Sequence, residues 1–258
     1  MPFTLSHAAA ALPFRRTRLI MSAVVVGCLA PDFEYFLPVG EHDKFGHSFT
    51  GTFELDLPLS LAVLWLFYRF AREPIAACLP KGARERLDRN RHASPMDSFA
   101  HFALTVLSIL VGIATHLLWD AFTHRGSWIT NHVHFLTRMI SIPLFGLRPW
   151  YGILQYFSSA FGIVVILIWC MHWYRNTAPL HSEQVRLTND RIAIAGLFLI
   201  AVTIALVRAA ASGIPHGVSG SQRFMTDFAI TGIPAFWIGT VIYGVVRNLS
   251  RKVIPVSN

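Results

Sequence analysis

The chain has 258 residues, of which 53% are hydrophobic and 14% charged, with a mean hydropathy of +0.48. That is too apolar for an ordinary soluble domain and places the chain in the membrane class. The formal charge of +8 does not point to nucleic acid, because the basic residues flank apolar segments as orientation signals do.

Two short apolar segments, 5–14 and 19–30, lie on either side of Arg15, Arg16 and Arg18. Thr4 or Ser6 suits the start of a helix. The second segment is too short to cross a bilayer comfortably and ends at Pro31. Basic residues, a short apolar core and Val25-Val26-Gly27-Cys28 imitate a lipoprotein-type signal. Against that, the first fourteen residues are themselves apolar and carry His7, so a helical hairpin is expected. The arginines mark its bend, and His7 and Asp32 return to one end.

Residues 31–54 read as a polar loop that carries Asp32, Glu34, His42, Asp43 and His47. Loops present polar groups that a helix lattice cannot. Solvation alone accounts for Glu34 and Asp43; Asp32 and His47 are singled out by the topology that follows.

Five apolar runs come next, at 55–71, 98–122, 152–174, 192–211 and 225–246, each near the length a bilayer requires. Pro58 falls in the expected first turn of its span, and Pro234 is expected to kink the last one. The basic loop 72–97, the loop 175–191 and the tail with Arg247, Arg251 and Lys252 all fall on one side, which the positive-inside rule makes cytoplasmic. The expected fold is therefore all-α: a polytopic integral membrane protein with about five transmembrane helices and an N-terminal helical hairpin. It is read as a single membrane domain over 1–258, with the hairpin and polar loop in 1–54, the spans in 55–247 and a basic tail in 248–258.

That orientation sends span 98–122 outward, so His116, Asp120 and His124 sit at its outer end. His116 and Asp120 are four residues apart and share a helix face, with His124 one step further. An aspartate in apolar surroundings costs roughly 2.5–3.5 kcal/mol at mid-membrane, so a partner is expected. A divalent metal shared with imidazoles supplies one; a helix cap or a buried hydrogen bond is the alternative. The polar loop 31–54 lies on the same outer face.

The other polar residues have plainer readings. His101, about 22 Å from His116 at 1.5 Å per residue, belongs to the cytoplasmic end. His132 and His134 lie in an outer loop within reach of the site. His172, Trp128, Trp150 and Tyr151 fit interfacial belts. His92 and His181 belong to cytoplasmic loops, and His216 is undecided. Cys28, Cys78 and Cys170 are scattered and read as small hydrophobes.

Met1-Pro2-Phe3-Thr4-Leu5-Ser6-His7-Ala8 followed by Pro31-Asp32 resembles an uncharacterised bacterial membrane family, domain of unknown function 4184. More distantly, the motif order is similar to that of the YdjM-like inner-membrane metal-dependent hydrolases. His7 stands for their early histidine, and Pro31-Asp32-Phe33-Glu34 for Pro-Asp-x-Asp. His42 to Ser48 stands for a His-Arg-Gly-x-Thr-His-Ser motif, with Asp43-Lys44 replacing Arg-Gly. His116 and Asp120 stand for His-x-x-x-Asp. That pattern is similar in turn to the zinc-dependent phospholipase C and nuclease fold, although a late His-x-x-x-Glu pair has no counterpart here.

The resemblance implies one or two divalent ions, zinc foremost, held by His7, Asp32, His47, His116 and Asp120, with His124 as a further ligand. Glu34 or His42 is then general base or orienter. It implies hydrolysis of an ester or phosphoester at the outer face of the bacterial inner membrane. Location favours a membrane lipid or lipid-linked substrate, and nucleic acid is not expected. A metal-binding structural or transport protein without turnover is the alternative. Haem binding needs facing histidines on two spans, and only span 98–122 carries two.

Overall fold

The computed structural model describes residues 4–37, 45–87, 96–142, 146–179, 188–213 and 217–253. Helices dominate them, and five are long and apolar enough to cross a membrane: Phe49–Cys78, Phe99–His132, Trp150–Asn176, Asn189–Ala211 and Arg223–Ser250. Each overlaps one expected span and extends it. Caps, not the edges of the apolar runs, set the starts. Ser48 accepts the Gly51 N–H (2.9 Å) and Ser98 accepts the His101 N–H (3.2 Å), satisfying donors a helix start leaves free.

Helices are labelled here α1 (Met21–Leu29), α2 (Phe49–Cys78), α3 (Phe99–Thr123), α4 (Trp150–Asn176), α5 (Thr188–Ala211) and α6 (Gly217–Val253). Two sequence expectations are corrected. Asp32 and Glu34 lie not in a loop but on a 3-10 helix, Ala30–Phe36, which follows α1 directly. Pro58 is not in a first turn, because α2 begins at Phe49; it follows a π turn over Thr52–Asp56, where the Leu57 N–H reaches the Thr52 carbonyl. The wider turn loosens the ladder just where proline lacks a donor. Pro234 lies inside α6, which is helical on both sides of it. The strands among the described residues are a short antiparallel pair, Met139–Ile142 and Gly146–Pro149.

The chain divides into two compact units. The first comprises Met1–Glu34, Val39–Leu64 and Pro95–Asn176. A 3-10 helix, Thr4–Arg16, turns back into α1 through Thr17, whose hydroxyl donates to the Phe14 carbonyl (2.6 Å). This is the expected hairpin. Ala11, Val24 and Cys28 form its core, and Arg15, Arg16 and Arg18 are exposed at the bend.

Helix α1 lies directly on α3. A Cβ on Gly27 would fall on the Ile109 carbonyl, and one on Gly112 on the Val24 carbonyl, so the two backbones touch, as small residues permit in membrane helices. Gly162 of α4 has the same relation to the backbone of Ser6. Gly112→Ala is expected to destabilise by about 1–3 kcal/mol, the usual cost of overpacking. Gly196→Ala is the control: its Cβ meets nothing within 4 Å, so this change should be neutral or stabilising by up to about 1 kcal/mol. Thermal unfolding in detergent separates the two.

The second unit comprises Tyr35–Pro38, Trp65–Ser94 and Thr177–Asn258. Ala201, Ala205 and Ala209 form a buried stripe on α5, and a Cβ on Gly232 of α6 would sit 3.1 Å from Ala205. Arg247 joins three segments of this unit. Its Nε and Nη2 donate to the two oxygens of Asp190 (2.8 Å each) and its Nη1 to Glu73 (2.6 Å), while the Tyr243 hydroxyl donates to Asp190 (2.7 Å).

Candidate metal centre

The centre is organised around His116, fully buried on α3. The close crossing of α1 and α3 brings the Cys28 carbonyl to 2.8 Å from His116 Nδ1. A carbonyl only accepts, so Nδ1 carries a proton, and Nε2 is the ring atom available to a metal. That atom points at carboxylates: Asp120 Oδ2 is 3.3 Å away and Asp32 Oδ1 3.8 Å. Nε2 has no hydrogen-bond partner.

The hairpin delivers His7, whose ring stacks on His116 with centroids 4.0 Å apart. Its Nε2 lies 3.6 Å from Asp120 Oδ1. The 3-10 turn Phe45–His47 delivers His47, with Nε2 at 3.7 Å from Asp32 Oδ1 and 3.3 Å from Asp120 Oδ2. Two sets, His7–Asp32–His116 and His47–His116–Asp120, have ligand atoms within 4.8 Å of one another. The N···O separations of 3.3–3.8 Å are long for hydrogen bonds. They match ligands placed tetrahedrally around an ion at 2.0–2.2 Å, which are about 3.3–3.6 Å apart. Neutral imidazoles and carboxylates are a suitable donor set for a divalent metal.

Burial, with the neighbouring His116 imidazole next, holds the His7 pKa at about 3 against an ordinary 6.5. The ring is therefore neutral at physiological pH, the form a metal requires. An unfolded chain protonates His7 below about 6.5, whereas the native ring resists until about 3. Its contribution to stability is thus present above 6.5 and is lost as pH falls through that window. The metal-free chain is expected to unfold at progressively lower temperature as pH drops from 6.5, and His7→Phe should flatten the profile.

His124 behaves differently from a fourth helical step. It caps α3 in extended conformation, accepts from the Gln155 amide at Nε2 (3.1 Å) and so carries its proton on Nδ1, 3.3 Å from Asp120 Oδ1. It lies against Asp120, and neither of the two possible ligand sets includes it. Glu34 is buried and accepts the Gly46 N–H at Oε2 (2.9 Å), while Oε1 lies 3.6 Å from His47 Nδ1. His42 lies outside the described residues, as do Asp43, His92, His181 and His216. His132 stacks on Trp128 and bonds its carbonyl, and His134 is exposed, so neither joins the cluster. His101 pairs with Ser98, and His172 with Asn176.

Sequence reasoning missed Asp56. It is fully buried in the same unit, inside the first span, and both carboxylate oxygens lack a hydrogen-bond partner. The available signal was an acidic residue between Leu55 and Leu57, with the same desolvation cost that drew attention to Asp120.

In comparisons with known proteins, one family model, described as a domain of unknown function, matches residues 1–245. No curated protein and no solved structure matches the chain. The likeness to the YdjM-like hydrolases and to the phospholipase and nuclease fold therefore rests on the motifs alone.

Proposed function

From a chain that belongs to the DUF4184 family, a domain of unknown function, we propose a membrane-bound, metal-dependent hydrolase acting on an ester or phosphoester of a lipid or lipid-linked substrate. The observation that carries this reading is the convergence of His7, Asp32, His47, His116 and Asp120 at ligand-to-ligand spacing, with His116 Nδ1 engaged by the Cys28 carbonyl and Nε2 available to a metal. Three imidazoles and two carboxylates favour zinc. Such an ion, when bound, supplies a Lewis acid and brings the pKa of a coordinated water towards neutrality.

The protein's own groups divide the remaining work. The Cys28 carbonyl and Glu34 orient His116 and His47, and His124 with Gln155 orients Asp120; outer partners of this kind tune a metal site. His124 is the most exposed of these side chains, at 34%, which puts the substrate's approach on its side. His42 and Glu34 are the candidates for moving a proton. The distribution of positive charge supports a site at the outer face of the bacterial inner membrane.

The test is metal analysis of detergent-purified protein together with hydrolysis of bis-p-nitrophenyl phosphate and of phospholipid in mixed micelles. Bound zinc and chelator-sensitive turnover are the expected result. Bound metal without turnover of either would move the protein to a structural or transport role, and absence of metal would overturn the reading. A reporter fused after Asn258 should be active only in the cytoplasm; activity outside would overturn the orientation.

A further inference from the structure

Asp32, Glu34, Asp56 and Asp120 are all buried, at 0–7% exposure. Among the described residues, no lysine or arginine forms an ion pair with any of them; their cationic neighbours within 4 Å are histidines alone. Four carboxylates in one buried region thus face little fixed positive charge, and one divalent ion offsets only half of theirs. Isolated buried carboxylates are too costly to leave so.

One unbonded oxygen, Asp120 Oδ1, lies at the first position, and three lie on the other side of His47. His47 turns Nε2 towards Asp32 and Asp120 but Nδ1 towards Glu34 Oε1. On that second side Glu34 Oε1 has no hydrogen-bond partner, nor has either oxygen of Asp56. Gly46 sits between them: its N–H donates to Glu34 Oε2 (2.9 Å), and a Cβ on it would lie 3.0 Å from Asp56 Oδ1. One turn beyond Asp56 on the same helix, the Ser60 hydroxyl is also buried and unbonded.

We infer that the chain holds a second divalent cation, on the Glu34 side of His47, bound by the Asp56 and Glu34 carboxylates. The donors there are oxygens, in contrast to the imidazole-rich first position, so a hard ion such as manganese or magnesium suits it. Gly46 packs closely between the two carboxylates: a Cβ on it would fall 2.6 Å from the Pro31 carbonyl and 3.0 Å from Asp56 Oδ1. This inference rests on the metal reading of the first site and adds a position that neither of its ligand sets contains.

The test is metal counting on the full chain in detergent, stripped with chelator and titrated with Mn2+ as the probe. Wild type is expected to bind two ions per chain, and Asp56→Asn one. That substitution keeps the side chain's shape and removes a buried charge, and gel filtration with thermal unfolding checks the fold. Glu34→Gln, which acts from the other side of Gly46, should also remove one ion, and it serves if Asp56→Asn does not fold. Two ions in Asp56→Asn would overturn the second position. One ion in wild type, kept in Asp56→Asn, would overturn it and leave the first site standing, with Asp56 then carrying a proton. No ion in wild type would overturn both.

Discussion

Asp120→Ala, purified beside wild type, is expected to lose tightly bound metal and, with it, any hydrolytic turnover. Asp120 has four imidazoles around its carboxylate, His7, His47, His116 and His124, at 3.3–3.6 Å. It is the one carboxylate of the cluster that faces all four, so removing it takes away both a proposed ligand and the group that aligns the histidines. Loss of an outer partner at a metal site typically weakens affinity 10–100-fold, and loss of Asp120 should reach at least the upper end, about 100-fold. His124→Ala, which removes only one imidazole beside Asp120, should fall within that range and leave measurable metal. Competition with a chromogenic chelator gives both numbers. An Asp120→Ala protein that holds zinc as tightly as wild type would exclude this carboxylate as a ligand.

Arg247→Met is expected to be the most destabilising single change in the second unit, by about 3–5 kcal/mol, the usual cost of removing one partner from a buried ion pair. Asp190 is 4% exposed, and without the guanidinium its carboxylate keeps only the Tyr243 hydroxyl among these partners. Arg247→Lys should recover only part of the loss, because an ammonium cannot serve both oxygens of Asp190 and reach Glu73 in one planar fork. Lys81→Met is the contrast. Its pair with Glu85 has the lysine 77% exposed at 3.9 Å, and exposed helical pairs are worth about 0.3–0.5 kcal/mol. Thermal unfolding in one detergent ranks the three; equal midpoints for Arg247→Met and Lys81→Met would contradict the account.

What was legible in the sequence follows from which forces act locally. The hairpin was legible because 19–30 is too short to span and three arginines cannot sit inside a bilayer, both properties of the residues themselves. His116 and Asp120 were legible because helical spacing and the cost of a membrane carboxylate are local. Their meeting with Asp32 and His47 followed from charge-determined topology, a coarse but long-range signal. Asp56 escaped because it sits at the margin of an apolar run, where an acid passes for an interfacial residue; only tertiary packing buries it completely. The Cys28 carbonyl escaped because backbone groups have no sequence signature, and its role depends on Gly27 and Gly112 allowing two helices to touch. The Arg247 cluster was hidden because Arg247 was read only as a topological charge, and its partner Asp190 lies 57 positions away.

The hydrogen bond from His116 to Cys28 joins residues 88 positions apart, and this bears on how the protein is made. At about 5–20 residues per second, roughly 4–18 s separate the emergence of the hairpin from that of His116. During that interval Asp32 and Glu34 have been synthesised but the imidazole of His116 has not, and α3 then enters the membrane with only its own His116 and His124 beside Asp120. The insertion machinery must therefore tolerate a span whose carboxylate meets His7 and His47 only after the earlier segments dock. Cells starved of metal, or producing a chain without its first 31 residues, should accumulate an inserted but incompletely assembled α3, a substrate for membrane proteolysis rather than a stable apoprotein.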